Sequence, residues 1–407
     1  MRILFKSLVI FTFVVSLSLG LHANGLNLNG NGSKAIAMGG AFIGLADDFS
    51  AVFWNPAGLT QMKEASLAIF ATDVIPKGTY EWEMFGIDAS TTKSHYPSPG
   101  LGYFKPLSDK VVAGIYVYVP SGIGACYDGA DLALLSGGVP MKWESMLGVI
   151  TVSPAVAVKL GDKFSLGAAF NINYGMLKLK QPSALGQYEE DLDGIAFNAT
   201  LGMLFKPSEK FSFGLTLKTP IKAKLKGDAT MPGAALYSLP TTDTGERETT
   251  FPMFLGAGIA IKPSDKLTIT ADAQYINWEK IDVIPISYSN VGWIAFFQDG
   301  SGLELKWKDA VQLRFGMEYK VSDSFALRAG YYFDPSPSEK ETLNILLPEH
   351  TYNFFTFGFG YSKGKIVLDV AVEYASGSEE VAYGEGAMPG KHGMKLLVPN
   401  ISLTIRL

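Results

Sequence analysis

Cysteine is nearly missing from this sequence, and the gaps in its composition say as much as its contents. The single Cys126 excludes an internal disulfide. Histidine occurs only as His22, His95, His350 and His392, and none has a second histidine or a cysteine at metal-ligand spacing. Charged residues make up 18% of the chain against 47% apolar, less charge than a soluble surface needs. The net charge of −5 offers nucleic acid nothing to bind. Past the N-terminal leader no apolar run is long enough to cross a bilayer as a helix. No linker-like change of composition divides the chain after Leu59. A Ser/His pair at strand level, which a barrel esterase requires, is not found. The glycines of Gly39-Gly40-Ala41-Phe42-Ile43-Gly44 follow no strand of a βαβ unit and lead into no Lys-Ser/Thr, so they do not make a phosphate loop. No catalytic residue, no metal and no cofactor are expected.

What the chain does contain is glycine, aromatic residues and alternation. It has 44 Gly, 26 Phe and 18 Tyr, a mixture that suits a sheet with one face in lipid and aromatic girdles at the interfaces. Arg2 and Lys6 open a basic start, and Leu8 to Leu21 is an apolar run of about 14 residues, too short for a spanning helix and right for a secretory leader. Cleavage is expected near Ala23, with Ser18-Leu19-Gly20 as the other site. An exported, greasy chain that alternates and lacks spanning helices is expected in an outer membrane of the Gram-negative type.

Period-two alternation recurs from Ala65 onward. Phe164, Leu166, Ala168, Phe170 and Ile172 share one face, with Ser165, Gly167, Ala169, Asn171 and Asn173 on the other. From Val311 the bulky set is Val311, Leu313, Phe315, Met317 and Tyr319, opposite Gln312, Arg314, Gly316 and Glu318. Six short charged turns, such as Lys105–Lys110 and Lys262–Lys266, alternate with seven longer connections: 74–98, 120–144, 179–192, 227–248, 285–302, 335–350 and 376–396. Tight turns on one rim and long loops on the other belong to a membrane barrel, and this count predicts about fourteen antiparallel strands. The fold class is therefore all-β, a transmembrane antiparallel barrel.

One stretch breaks the pattern. Asn31 to Leu59 carries five glycines and six alanines around Asp47-Asp48 and Asn55-Pro56-Ala57-Gly58, a composition for close backbone packing and turns. The expected organisation is a leader at 1–23, a small hatch at 24–62 inside the barrel, and the barrel at 63–407. Asp47, Asp48 and Asn55 either bond the barrel's inner wall or satisfy their own turns; both readings stand.

Ala46-Asp47-Asp48 and Asn55-Pro56-Ala57-Gly58-Leu59 resemble the hatch signature of the FadL family, outer-membrane transporters of long-chain fatty acids and other hydrophobic molecules, including the TodX type. Trp307-Lys308-Asp309-Ala310, Arg328-Ala329-Gly330-Tyr331, Asp334-Pro335-Ser336-Pro337, Leu347-Pro348-Glu349-His350 and Gly358-Phe359-Gly360-Tyr361 follow in the family's order. Two departures stand out: Gly25 is followed by Leu26 rather than phenylalanine, and the chain ends in Leu407 rather than an aromatic residue.

The resemblance implies a gate formed by Leu26, Asp47, Asp48, Asn55, Pro56 and Ala57. It implies a lateral exit at a kink of the third strand, Val111–Val119, which we expect at or just beyond Gly114. It also implies a binding-pocket lysine at Lys308; Arg314 and Arg328 share its polar phase and join it as candidates for a substrate carboxylate, the other reading being stabilising Arg/Glu pairs. Leu132, Leu135, Trp143, Trp293, Phe296 and Phe297 place apolar surface in long loops, as the family's extracellular groove does or as a plain loop core would. The expected partners are a long-chain fatty acid or other hydrophobic small molecule, outer-membrane lipid and the barrel assembly machinery, with the chain a monomer. The alternatives are a channel for aromatic or other hydrocarbons, or a structural or adhesive barrel.

Overall fold

The computed structural model describes Gly25 and residues 30–92, 95–297 and 302–407. The leader and Leu26 lie outside these. Fourteen antiparallel strands close into a barrel. They are β1 (Ser66–Trp82), β2 (Tyr96–Pro106), β3 (Val111–Tyr127), β4 (Trp143–Lys159), β5 (Phe164–Ser183) and β6 (Gly186–Ser208). Next come β7 (Phe211–Lys218, resuming as Ile221–Thr230), β8 (Thr242–Phe251, resuming as Phe254–Ser264), β9 (Leu267–Ile276) and β10 (Ala310–Lys320). The last are β11 (Phe325–Asp334), β12 (Tyr352–Lys363), β13 (Ile366–Val381) and β14 (Gly390–Arg406). β1 and β14 pair from Ser66↔Arg406 to Glu81↔Lys391 and close the wall. Pro220 and Pro252, which can donate no ladder hydrogen bond, sit where β7 and β8 are interrupted.

Alternation separates the two faces as lipid demands. On β10, Phe315, Met317 and Tyr319 are exposed, while Gln312, Arg314 and Glu318 are buried. On β12, Phe355, Phe357, Phe359 and Tyr361 face outward and Phe354 and Thr356 inward. A soluble barrel would hide the larger apolar set; here it lies outside.

The six short turns fall where the sequence puts them, but several long connections are not loops. Residues 179–192 form a continuing hairpin in which only 184–185 lie between β5 and β6, and 376–396 is strand except for 382–389. Polar composition misleads there because a ladder that rises out of the bilayer meets water on its outer side and loses its apolar face. A fully buried Arg247–Glu190 pair, with nitrogen–oxygen distances of 2.6 Å, ties the raised parts of β6 and β8 together, and Tyr188 donates to the same carboxylate.

Residues 30–62 fill the lumen. They form α1 (Ser33–Ala37), α2 (Ala51–Trp54) and a 3-10 turn, Pro56–Gln61. Pro56 takes the first helical position, and Asn55 caps it by accepting from Ala57 N at 3.2 Å. Ala35, Met38, Phe42, Ala46, Trp54 and Leu59 pack in one core with inward-facing Ala68, Phe104, Tyr116 and Ala155 of the wall. Glycine on the wall makes room: a β-carbon at Gly202 would strike the Asn55 side chain, and one at Gly330 would strike the backbone of Gly39.

Gly202→Val should therefore unseat the lumen segment without removing the barrel, at an overpacking cost of about 1–3 kcal/mol. The expected result is normal outer-membrane content and a raised ion conductance in planar bilayers; parent-like conductance would show that this approach is not what seats the segment.

Candidate functional site

Wall side chains from most of the circumference hold the lumen segment. Asp272 on β9 accepts from Phe42 N at 2.8 Å and Ile43 N at 2.9 Å. Thr356 on β12 accepts from Gly39 N and donates to Ala37 O. Ser212 and Thr216 on β7 donate to Gly44 O and Trp54 O. Arg314 on β10 donates to Gly39 O at 3.0 Å, and Tyr116 on β3 to Asn31 Oδ1 at 3.1 Å. Asn55 joins both parts: its Nδ2 donates to Ile43 O of its own segment and to Met203 O of β6, each at 2.9 Å. The two readings of Asn55 thus hold together. Asp48 keeps to its own turn, its Oδ1 accepting from Ser50 N and Oγ, whereas Asp47 pairs with Lys34 at 2.8 Å. Pro56 and Ala57 press on the wall at Gly167.

At one end of the lumen segment lies an ion network. Arg328 meets Glu318 at 2.7 Å and Asp369 at 2.6 Å, and Lys34 stands 3.9 Å from Glu318. Arg328 is thereby spent on stabilisation, which removes it as a carboxylate receptor.

Above the other end, over Phe53 and Trp54, is a cavity of about 80 Å³ lined by both aromatic and polar side chains. Its lining includes Asn171, Asn173, Asn198, Gln312, Lys218 and Arg314, and no acidic side chain among the described residues. Arg314 is buried, accepted by Gln312 Oε1, and stacked 4.1 Å from the Tyr332 ring. Lys218 Nζ lies 3.4 Å from the centroid of Phe53 and 4.8 Å from that of Phe254. No carboxylate among the described residues pairs with Lys218. Lys308 is not here. It precedes β10, is exposed, and pairs with Glu339, whose hydrogen bond raises its pKa. Strand parity does not carry back past Ala310, where the strand begins, so the inward placement of Lys308 is corrected.

A second, larger cavity of about 390 Å³ begins beside Ser121, shared with the first, and is lined chiefly by apolar groups such as Val119, Ile123, Leu147, Met176, Phe354 and Leu396. It reaches a window in the wall. β2 pairs with β3 only from Pro106↔Val112 to Leu101↔Val117, although Tyr96–Gly100 stay paired with β1. The β3–β4 register shifts between Tyr118 and Ser121, and Thr92 N donates to Cys126 O above the gap. Gly114 itself is paired with Phe104 on one side and Ala155 on the other, and the ladder to β2 ends just beyond it, after Val117. Pro97, Pro99 and Pro120 border the opening, and proline without an N–H cannot complete a ladder. These prolines were the usable signal in the sequence.

The loop residues divide. Leu132 is fully buried with Tyr80 and Tyr127, and Leu135 packs beside them. Trp293 and Phe297 belong to another core with Tyr288, and Trp143 packs against both cores. Only Phe296 is exposed among the six, its ring tilted against that of Tyr237 at 4.8 Å. Leu132, Trp293 and Phe297 are therefore corrected from groove to loop core: large rings buried there spare the loops their own exposed apolar surface.

Residues 14–391 match the family model described as outer membrane protein transport protein (OMPP1/FadL/TodX). A putative outer membrane protein of Neisseria meningitidis is 23% identical, covering 86% of this chain and 85% of its own. A long-chain fatty acid transport protein of Escherichia coli is 20% identical over 95% of this chain and 94% of its own. Among solved structures, a Pseudomonas aeruginosa FadL homologue superposes with a TM-score of 0.77 at 18% identity, covering 94% of this chain and 100% of that one. The Pseudomonas putida toluene transporter TodX gives 0.73 at 17% identity, covering 93% and 99%.

Asn55→Ala should leave the Ile43 carbonyl without its side-chain donor and cut the tie to Met203 O of the wall, at about 1–3 kcal/mol of segment stability. The check is single-channel recording on the purified variant, where larger or more frequent openings than in the parent are expected.

Proposed function

Because this chain belongs to the OMPP1/FadL/TodX family of outer-membrane transport proteins, we propose that it carries long-chain fatty acids across the wall by lateral release. The observation that supports this most is the window between β2 and β3, continuous with an apolar cavity that reaches the lumen. An apolar molecule gains nothing from leaving into water and much from sliding sideways into hydrocarbon.

In this reading substrate passes from the extracellular loops to the cavity above Phe53, where Lys218 takes its carboxylate with Arg314 alongside. A charge in an apolar lumen must be met by a cation. Both cations also touch the hatch, Lys218 through the Phe53 ring and Arg314 through Gly39 O. An anion that draws them away loosens two hatch contacts at once and couples arrival to movement of the hatch. The chain would reach the Gram-negative outer membrane through a cleaved leader and the barrel assembly machinery, and act there as a monomer in lipid. A second reading, a channel for neutral aromatic hydrocarbons, draws on the described lining of the lateral cavity, which is chiefly apolar and holds no lysine or arginine.

Lys218→Ala should weaken binding of palmitate by roughly 10- to 150-fold, the worth of a charge-assisted hydrogen bond, and leave an alkane of similar length unaffected. Lys308→Ala should change neither. Equal losses of palmitate and alkane would place Lys218 in packing, and an unchanged palmitate affinity would favour the hydrocarbon reading. For the exit, Ser98→Arg puts a guanidinium at the window; oleate uptake by cells carrying it should fall at least about tenfold, since a lipid-facing charge is costly to pass. Uptake equal to the parent would rule out this window as the exit.

A further inference from the structure

The lateral cavity is lined by a carboxyl that no described residue partners. Glu349, in the connection between β11 and β12, is 6% exposed and lines the cavity together with Pro348, Tyr352 and Phe354. Its backbone carbonyl accepts from Ser336, but its carboxyl oxygens make no hydrogen bond or ion pair among the described residues. Asp334, the other acid on this lining, is already held by Gln312 at 2.6 Å. A buried carboxyl without partners costs a loop free energy that an apolar residue would not. The space that Glu349 lines, of about 390 Å³, is large enough for a lipid-like molecule.

We propose that Glu349 is a head-group station in the lateral cavity, recognising a long-chain amphiphile whose head is neutral and donates a hydrogen bond: an alcohol, or an acid in its protonated form. The cavity's described lining holds no lysine or arginine, its histidine, His95, is already held by Asp73 at 2.7 Å, and Asp334 adds a negative neighbour, so a carboxylate is disfavoured there. Burial, with Asp334 adding to it, pushes the Glu349 carboxyl well above the usual carboxylate range. A neutral carboxyl both donates and accepts, which matches a hydroxyl or a carboxylic acid. The two cavities then differ in sign, a cationic one above the hatch and an acidic one beside the window, and they meet at Ser121. This inference rests on the lateral route proposed above, but not on Lys218.

The test compares 1-tetradecanol with its methyl ether, which accepts a hydrogen bond and cannot donate one, on full-length protein in nanodiscs. The parent should prefer the alcohol by about tenfold, the worth of one hydrogen bond. Glu349→Leu should erase that preference, and Glu349→Gln, whose amide still accepts and donates, should keep it. Lys218→Ala should leave it intact while palmitate binding falls, which separates a failure here from a failure of the carboxylate site. Myristic acid titrated in the same assay distinguishes the two head groups: at pH values that ionise it, it should gain nothing from Glu349. A crystal of the parent grown with 1-tetradecanol should show its oxygen within hydrogen-bond distance of the Glu349 carboxyl. A preference missing from the parent, surviving in Glu349→Leu or lost in Glu349→Gln overturns the proposal, as does a crystal with the hydroxyl elsewhere.

Discussion

Backbone amides and carbonyls in hydrocarbon must find partners within the protein, because the solvent offers none. Everything in this molecule follows from that constraint. It forces the closed ladder of β1 to β14, and with it the division of each strand into a lipid face and an inner face. The inner face then needs filling, and the chain fills it with its own N-terminal segment. That segment is irregular, so its backbone groups also need partners. Asp272, Thr356, Ser212, Thr216 and Arg314 supply them from the wall. A polar inner face and an irregular plug are two halves of one accounting of hydrogen bonds.

The same constraint makes the exceptions informative. The ladder is incomplete between β2 and β3 above Leu101, and this is where a large apolar cavity meets the wall. Cation and acid are likewise sorted in space. Arg328 is consumed by Glu318 and Asp369 at one end of the lumen segment, while Lys218 is left over the other with aromatic rings for company. Buried ion pairs hold a structure in register, whereas an amine withdrawn from water without a counterion is costly to keep charged.

Much of this was legible in the sequence. Strand alternation, the tight turns and the small-residue stretch all rest on local rules, and local rules survive folding. Lys308 shows where they stop: its phase was extrapolated from Val311–Tyr319, but the strand begins at Ala310 and the side chain turns to Glu339. Leu132, Trp293 and Phe297 show a different limit. Apolar residues in a long connection signal burial or exposure alike, and only the fold decides which. Gly114 drew attention as a strand glycine; it is itself paired on both edges, the ladder to β2 ends just beyond it, and Pro97, Pro99 and Pro120 border the opening. Asp272 and Lys218 sit in ordinary polar phases with no motif around them; their importance lies in which distant segment comes to meet them.

Those three prolines also bear on how the wall is assembled. A wall with a gap exposes strand edges, and an exposed edge is a template on which another copy of the same chain can zip itself during biogenesis. Residues that cannot donate to a ladder make this edge sterile. The opening can therefore persist through manufacture of the protein as well as in its working life, and replacing the prolines would be felt first in yield.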